Sequence, residues 1–312
     1  MLMINKEKIV IGLITFLFIL SIIVGISTKS KSPLASIDDT ASSIPFPNSK
    51  KGIAVIELYG PIAFSDTSNV IFPNGADLIL KQIKLIEDDD NVKGILLKIN
   101  SPGGTVGASQ EIFSALDNCK KKRNIPIVAQ IGDVGASGAY YVSLAADKIF
   151  ANPGSLVGSI GVILGNLNVK ELANDNGVYQ QIYKGGKYKD ILSMWRTPTS
   201  EEENLLINLV ENVHEQFKTD LIKSRNISKS DLEKVAEGQI FTGTLAKNLN
   251  LIDELGSFQD AITFIGLETE LGEDPKLISK TKSAFYDVAS IFTLSLKQLL
   301  FKNEFNNYKL MY

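Results

Sequence analysis

The sequence predicts an α/β fold made of βαβ units. Short apolar runs of strand length alternate with longer segments of helical spacing through the middle of the chain. Turns containing Gly and Pro stand at the strand-to-helix junctions. With 312 residues, 44% of them hydrophobic, the chain is long enough to bury one substantial core with short additions.

At the N-terminus, Ile9 to Ile26 carries no charge. As a helix it would span roughly 27 Å, close to the thickness of a bilayer core. This predicts a membrane anchor over residues 1–27. A cleaved signal peptide is the rival reading, with Gly25 and Ser27 as small residues for a peptidase. Lys6 and Lys8 precede the run while Lys29 and Lys31 follow it, so charge leaves the orientation open. Residues 28–50, rich in Ser, Pro and Asp, read as a linker. The folded domain is expected over residues 51–272.

Ile53–Tyr59 reads as a strand and Ala76–Asp89 as a helix. Val92–Ile99 reads as a buried strand that runs into Asn100-Ser101-Pro102-Gly103-Gly104, and a helix is expected over Thr105–Cys119. Pro102 lacks an N–H and fixes φ. Gly103 and Gly104 let the backbone turn its N–H groups outward and approach a ligand closely. Such a loop suits a developing oxyanion; it is also the form of an ordinary tight βα turn.

Pro126–Ile131 is the next strand and Tyr140–Ala146 the next helix, joined through Gly135-Ala136-Ser137-Gly138-Ala139. A serine at such a turn projects its hydroxyl while the unpaired N–H groups of the helix start surround it. A nucleophile and half of an oxyanion hole arise together in this way. Small residues here also serve close packing, and Ala139 stands where the G-x-S-x-G pattern has its second glycine. A free serine hydroxyl needs a base. The chain has a single histidine, His214, in a long helical stretch far from any turn, so if Ser137 is a nucleophile a lysine is the expected base.

Val178–Tyr183 alternates like a strand and leads into Lys184-Gly185-Gly186-Lys187-Tyr188-Lys189-Asp190. Lysines in such a loop usually face solvent. To act as a base, one must lose its proton near neutrality, which burial achieves by lowering a lysine pKa from about 10 to about 7–8. Ser200–Arg225 reads as a helix, with Glu201, Glu202 and Glu203 suited to its N-terminus and Leu205, Leu206, Leu209, Val210, Val213 and Phe217 forming an apolar stripe. His214 reads as a surface or boundary residue of that helix. Residues 273–312 are expected to form a helical C-terminal extension. Within it, Ala284–Phe301 has amphipathic spacing suited to a neighbouring subunit, to a membrane surface or to an isolated last helix.

A net charge of −3 argues against a nucleic-acid partner. The single cysteine, Cys119, has no internal disulfide partner and reads as a packing residue. No Cys/His cluster is present, so no metal site or cofactor is expected.

The order Asn100–Gly104, Gly135–Gly138, Ala145-Ala146-Asp147-Lys148-Ile149, Gly158-Ser159-Ile160-Gly161-Val162 and Lys187-Tyr188-Lys189 resembles the signal peptide peptidase family of membrane-bound serine proteases, in its short, single-protease-domain form. Gly238–Gly243 and Leu251–Gly256 match the family's late segments, and the resemblance runs from about Lys51 to Gly266. It implies a crotonase-like (Clp protease-like) spiral of βαβ units with an N-terminal transmembrane helix, and a catalytic domain outside the cytoplasmic membrane. It also implies that Ser137 is the nucleophile and Lys189 the general base, with Lys187 as competitor. Gly103, Gly104 and Gly138 would be the oxyanion and substrate-binding positions. Ser159 either orients the lysine or is a turn serine, and Asp147 either joins the catalytic set or caps and pairs locally. The implied partners are peptide substrates such as signal-peptide remnants, membrane lipid, and further copies of the chain in a ring-like homo-oligomer. An acyl-CoA-handling enzyme on the same fold and a non-catalytic membrane scaffold are the rival functions.

Overall fold

A computed structural model describes residues 51–64 and 75–278. The expected anchor over Ile9–Ile26, the linker and the Ala284–Phe301 helix lie outside these residues. The described helices and strands alternate as expected, and eight strands join in one sheet among the described residues.

Strand β1 (Gly52–Tyr59) is followed by helix α1 (Ala76–Glu87), β2 (Val92–Ser101), α2 (Val106–Arg123) and β3 (Ile127–Ala136). These three strands pair in parallel in the order β1, β2, β3. Parallel strands require crossovers, and the two helices provide them. Side chains alternate across the sheet. Ala54, Ile56, Ile95, Leu97, Ile99, Ala129 and Ile131 face one core cluster with Ile79, Ile83, Ile112 and Leu116 of the crossover helices. Ile53, Leu96 and Val128 face the other, against Ala261, Ile262 and Ile265. Helices therefore cover both faces, which explains why the strands read as nearly continuous apolar runs.

The sheet forks at β3. The first part of β3 pairs with β4 (Lys148–Ala151) and the last part with β5 (Leu156–Gly158). Buried Ser155, between β4 and β5, donates to the carbonyls of Ile131 and Gly132 at this fork. Beyond it, α3 (Gly138–Ser143) starts directly from the end of β3. The chain continues through α4 (Lys170–Asp175), the long α5 (Ser200–Arg225), α6 (Lys229–Val235), β6 (Ile240–Thr242), α7 (Gly243–Asn248), β7 (Glu254–Leu255), α8 (Phe258–Glu268) and β8 (Leu277–Ile278). Strand β6 pairs antiparallel with β5, while β7 and β8 extend the sheet beside β4 and β1.

Three expectations are corrected. Val178–Tyr183 forms no strand; it is irregular, it pairs with no strand among the described residues, and Tyr179 and Tyr183 are 79% and 87% exposed. The apolar stripe of α5 is buried only in its second half, at Val213, Phe217 and Leu221, whereas Leu205, Ile207 and Leu209 stay exposed. Helix α3 ends at Ser143 rather than Ala146, since the next residues turn to deliver Asp147 to the start of β3: its N–H donates to Ile127 O and its carboxylate accepts from Ile127 N.

Candidate active site

Ser137 sits at the junction of β3 and α3, with φ 57° and ψ −126°. Residues other than glycine rarely occupy this region, and holding one there costs of order 1–3 kcal/mol. The junction is fixed from both sides: Ser137 N–H donates to Gly158 O at 2.7 Å, and Ser137 O accepts from Tyr141 N at 2.9 Å. Strand pairing and the first helical turn together force the serine into a sharp elbow. Ser137 is 5% exposed and borders a cavity of about 300 Å³. No other described residue hydrogen-bonds its hydroxyl.

The Asn100–Gly104 loop lies against this elbow. Gly103 has φ +99°, and a Cβ on it would sit 2.7 Å from both Ser137 Cβ and Gly138 N. A Cβ on Gly104 would sit 1.9 Å from Ile62 O, because Ile62 forms a parallel bridge there. Ile62 N–H donates to Gly103 O at 2.9 Å and Thr105 N–H to Ile62 O at 2.8 Å, which pins the loop. Gly103 N–H donates to Ser101 Oγ at 3.1 Å. The N–H groups of Gly104 and Gly138 have no acceptor among the described residues, and a Cβ on Gly138 would lie only 3.2 Å from Gly104 N. Two unsatisfied donors therefore stand side by side next to the serine, the arrangement an oxyanion requires. Ala139 is fully buried behind them, so its methyl group is accommodated.

The cavity is completed by Ser159, Gly161, Val162, Ile163, His214, Glu237 and Gly238. Ser159 has φ 53° and donates its N–H to Gln239 O at 2.6 Å. His214 is the site residue that sequence reasoning missed. It follows buried Val213 on α5, and its Nε2 is buried without a hydrogen-bond partner. The adjacent buried position was the only local signal; nothing near it in sequence points to Ser137.

Lys189 is exposed and lines a different cavity, of about 450 Å³, with Asp190, Ile182 and Trp195. Ser137 and Lys189 thus line separate cavities. The two nearby lysines are occupied: Lys187 pairs with Glu201, and Lys184 pairs with Asp190. The Glu201 carboxylate, with the Tyr188 hydroxyl second, holds the Lys187 ammonium above the usual lysine range. No hydrogen bond or ion pair engages the Lys189 ammonium among the described residues.

Arg196 organises this loop. Its Nε and Nη2 donate to the two oxygens of Asp190 at 3.0 and 2.9 Å, and its Nη1 and Nη2 to those of Glu202 at 2.7 and 2.6 Å. Bidentate pairing of this kind is the strong form of ion pair. Glu202 also accepts from Thr199 N–H, completing a capping box at the start of α5. Arg196, and after it the Thr199 N–H, lowers Glu202 from the ordinary value of 4.5 to about 2. Asp147 stands apart from both cavities' serine and lysine, pairing with Lys120 at 3.1 Å.

The model of the peptidase family S49 matches residues 119–271, and that of Clp protease matches residues 67–156, in keeping with the mixed α/β sheet. A putative protease of Synechocystis sp. is 38% identical over 242 residues, 74% of this chain and 83% of the other. A putative signal peptide peptidase SppA of Enterococcus faecium is 33% identical over 284 residues, 86% of this chain and 82% of the other. A chloroplastic serine protease SPPA of Arabidopsis thaliana is 25% identical over 246 residues, 77% of this chain and 35% of the other. The matches to the Synechocystis and Enterococcus proteins, together with the serine elbow and its paired N–H donors, mean that the chain belongs to peptidase family S49, the signal peptide peptidase family of serine proteases.

Proposed function

We propose that this protein is a membrane-anchored endopeptidase in which Ser137 is the nucleophile and Lys189 the general base, acting on apolar peptides such as cleaved signal peptides. The observation that carries this is the strained Ser137 elbow beside the Gly104 and Gly138 N–H groups. Ser137 Oγ attacks the scissile carbonyl carbon as Lys189 Nζ takes its proton. The two N–H groups hold the oxyanion, and each such donor is typically worth about 3–4 kcal/mol in the transition state. The lysine then gives the proton to the leaving amine. Water, deprotonated by the same lysine, hydrolyses the acyl-enzyme and frees Ser137.

The lysine reaches the serine from a neighbouring copy of the chain. Arg196 ties the Lys189 loop to Glu202, whereas the serine cavity lies beside His214 on the same helix. From Glu202 to His214 an α-helix rises roughly 18 Å, more than a lysine side chain spans. Exposed Leu205, Ile207, Leu209, Ile163 and Tyr179 supply the apolar surface that a neighbour would cover. Such contacts, repeated head to tail, close a ring. They also shield Lys189 from water, which a neutral lysine needs. Ile9–Ile26 would hold this ring on the outer face of the cytoplasmic membrane, and its enclosed chamber would admit unfolded peptides.

A fluorophosphonate probe applied to the membrane-extracted protein tests the chemistry. Labelling of the wild type, lost in Ser137→Ala and strongly slowed in Lys189→Ala, is expected. Undiminished labelling of Ser137→Ala would remove this serine from the mechanism, and absence of labelling in the assembled wild type would favour a non-catalytic scaffold.

A further inference from the structure

The residue after the base lysine is an aspartate, and that is an electrostatic problem. A free carboxylate beside Lys189 would favour its ammonium form, the form that cannot accept a proton from Ser137. Lys189 and Asp190 line the same cavity of about 450 Å³, so the carboxylate is placed where it would act. Yet the Asp190 side chain is only 13% exposed, and both of its oxygens are taken. Arg196 Nε and Nη2 occupy Oδ2 and Oδ1, and the Lys184 ammonium pairs with Oδ1 from the other side. Arg196 Nη2 also donates to the Asp190 carbonyl at 3.1 Å, which fixes the backbone next to Lys189.

We propose that Arg196, assisted by Lys184, is a positioning and charge-masking residue for the base: it engages Asp190 so that this carboxylate neither pairs with Lys189 nor holds it protonated. The inference rests on the reading of Lys189 as the base. Within its own chain the charged groups beside it are accounted for, and the serine cavity of the neighbouring copy adds His214 and Glu237. Glu202 is bound by the same guanidinium, while Glu201 is bound by Lys187 and the Tyr188 hydroxyl. Among the described charges of this cluster only Lys189 lacks a partner. The lowered pKa of Asp190, caused first by Arg196 and then by Lys184, accords with this division. Arginine suits the task, since its planar fork binds two carboxylates at once and never loses its charge.

The test is the pH dependence of kcat/KM for the full-length, assembled enzyme, read at the acid limb where the base becomes protonated. Arg196→Ala is expected to move this limb to higher pH by roughly half a unit or more, which lowers kcat/KM on the acid side about threefold. Lys184→Ala should do the same to a smaller extent. Adding Asp190→Asn to either variant should return the limb to the wild-type position or below it. Lys187→Ala, which frees Glu201 instead, should leave it in place. Lys184 lies on the surface, so its pair of variants decides the question even if Arg196→Ala fails to assemble. A limb unmoved in the Arg196 and Lys184 variants, or shifts that persist without Asp190, would overturn the masking role. Retained activity in Lys189→Ala would instead overturn the assignment of the base.

Discussion

Tyr141 and Phe217 meet edge to face with ring centroids 5.0 Å apart. Tyr141 belongs to the helix that starts from Ser137, and Phe217 to the helix whose first turn holds Arg196 through Glu202. The Tyr141 hydroxyl donates to Asp220 at 2.6 Å one turn further on, and Phe113 flanks the same ring at 5.1 Å. One helix thus braces the nucleophile elbow at its middle and the lysine loop at its N-terminus.

The elbow predicts that Ser137→Ala inactivates the enzyme without unfolding it. Loss of at least about a thousandfold in kcat/KM is expected. The melting temperature should be unchanged or slightly raised, because alanine keeps the Cβ that strains the φ 57° junction and removes a buried hydroxyl that has no hydrogen-bond partner among the described residues. Peptidase assay and calorimetry on the same preparation check both. Residual activity within tenfold of wild type would be incompatible with a nucleophilic role.

If serine and lysine come from different copies, two dead enzymes should rescue each other. Ser137→Ala and Lys189→Ala subunits, dissociated together and reassembled, are expected to recover a measurable fraction of wild-type activity. Each variant treated alone should recover none. A fully active monomer by sedimentation, or no rescue in assemblies shown to be mixed, would count against a shared site.

His214 borders the serine cavity with a buried, unpartnered Nε2. An unmade buried hydrogen bond costs about 1–3 kcal/mol, which a bound peptide would recover. His214→Ala is therefore expected to change KM and side-chain preference several-fold while leaving kcat and the acid limb of the profile near wild type. Steady-state kinetics over a peptide series reads this out. A collapse of kcat would make His214 the base instead.

Glu202 links the Arg196 clamp to acid stability. Its pKa is about 2 in the folded chain against an ordinary 4.5, so the unfolded state binds the proton more readily. The stabilisation is fully present above the unfolded value and is lost as pH falls through the folded one. The melting temperature should drop between about pH 4.5 and pH 2, and Glu202→Gln should flatten that part of the curve. An identical acid profile in the variant would show that the clamp adds nothing to stability.

The uncharged run Ile9–Ile26 predicts a retained anchor. The membrane-extracted protein should keep its N-terminus and resist extraction by high salt and carbonate. A mature start near Thr28, found by N-terminal sequencing, would mean a cleaved signal instead.

Local chemistry made much of this protein legible in its sequence. The apolar runs at Ile53, Val92 and Pro126 specify parallel strands because they are short and buried on both faces. Gly103, Gly104 and Gly138 mark sharp junctions because Gly103 takes a positive φ and the other two leave no room for a Cβ. These signals depend on a residue and its near neighbours. What the tertiary structure alone decided depends on which distant surfaces meet. It placed His214 at the serine cavity, bound Lys187 to Glu201, locked Asp190 under Arg196, and left Val178–Tyr183 without a strand partner among the described residues. It also kept Leu205 and Leu209 exposed, although their spacing marks them for burial. Periodicity reports which side chains favour leaving water; it carries no information about what covers them.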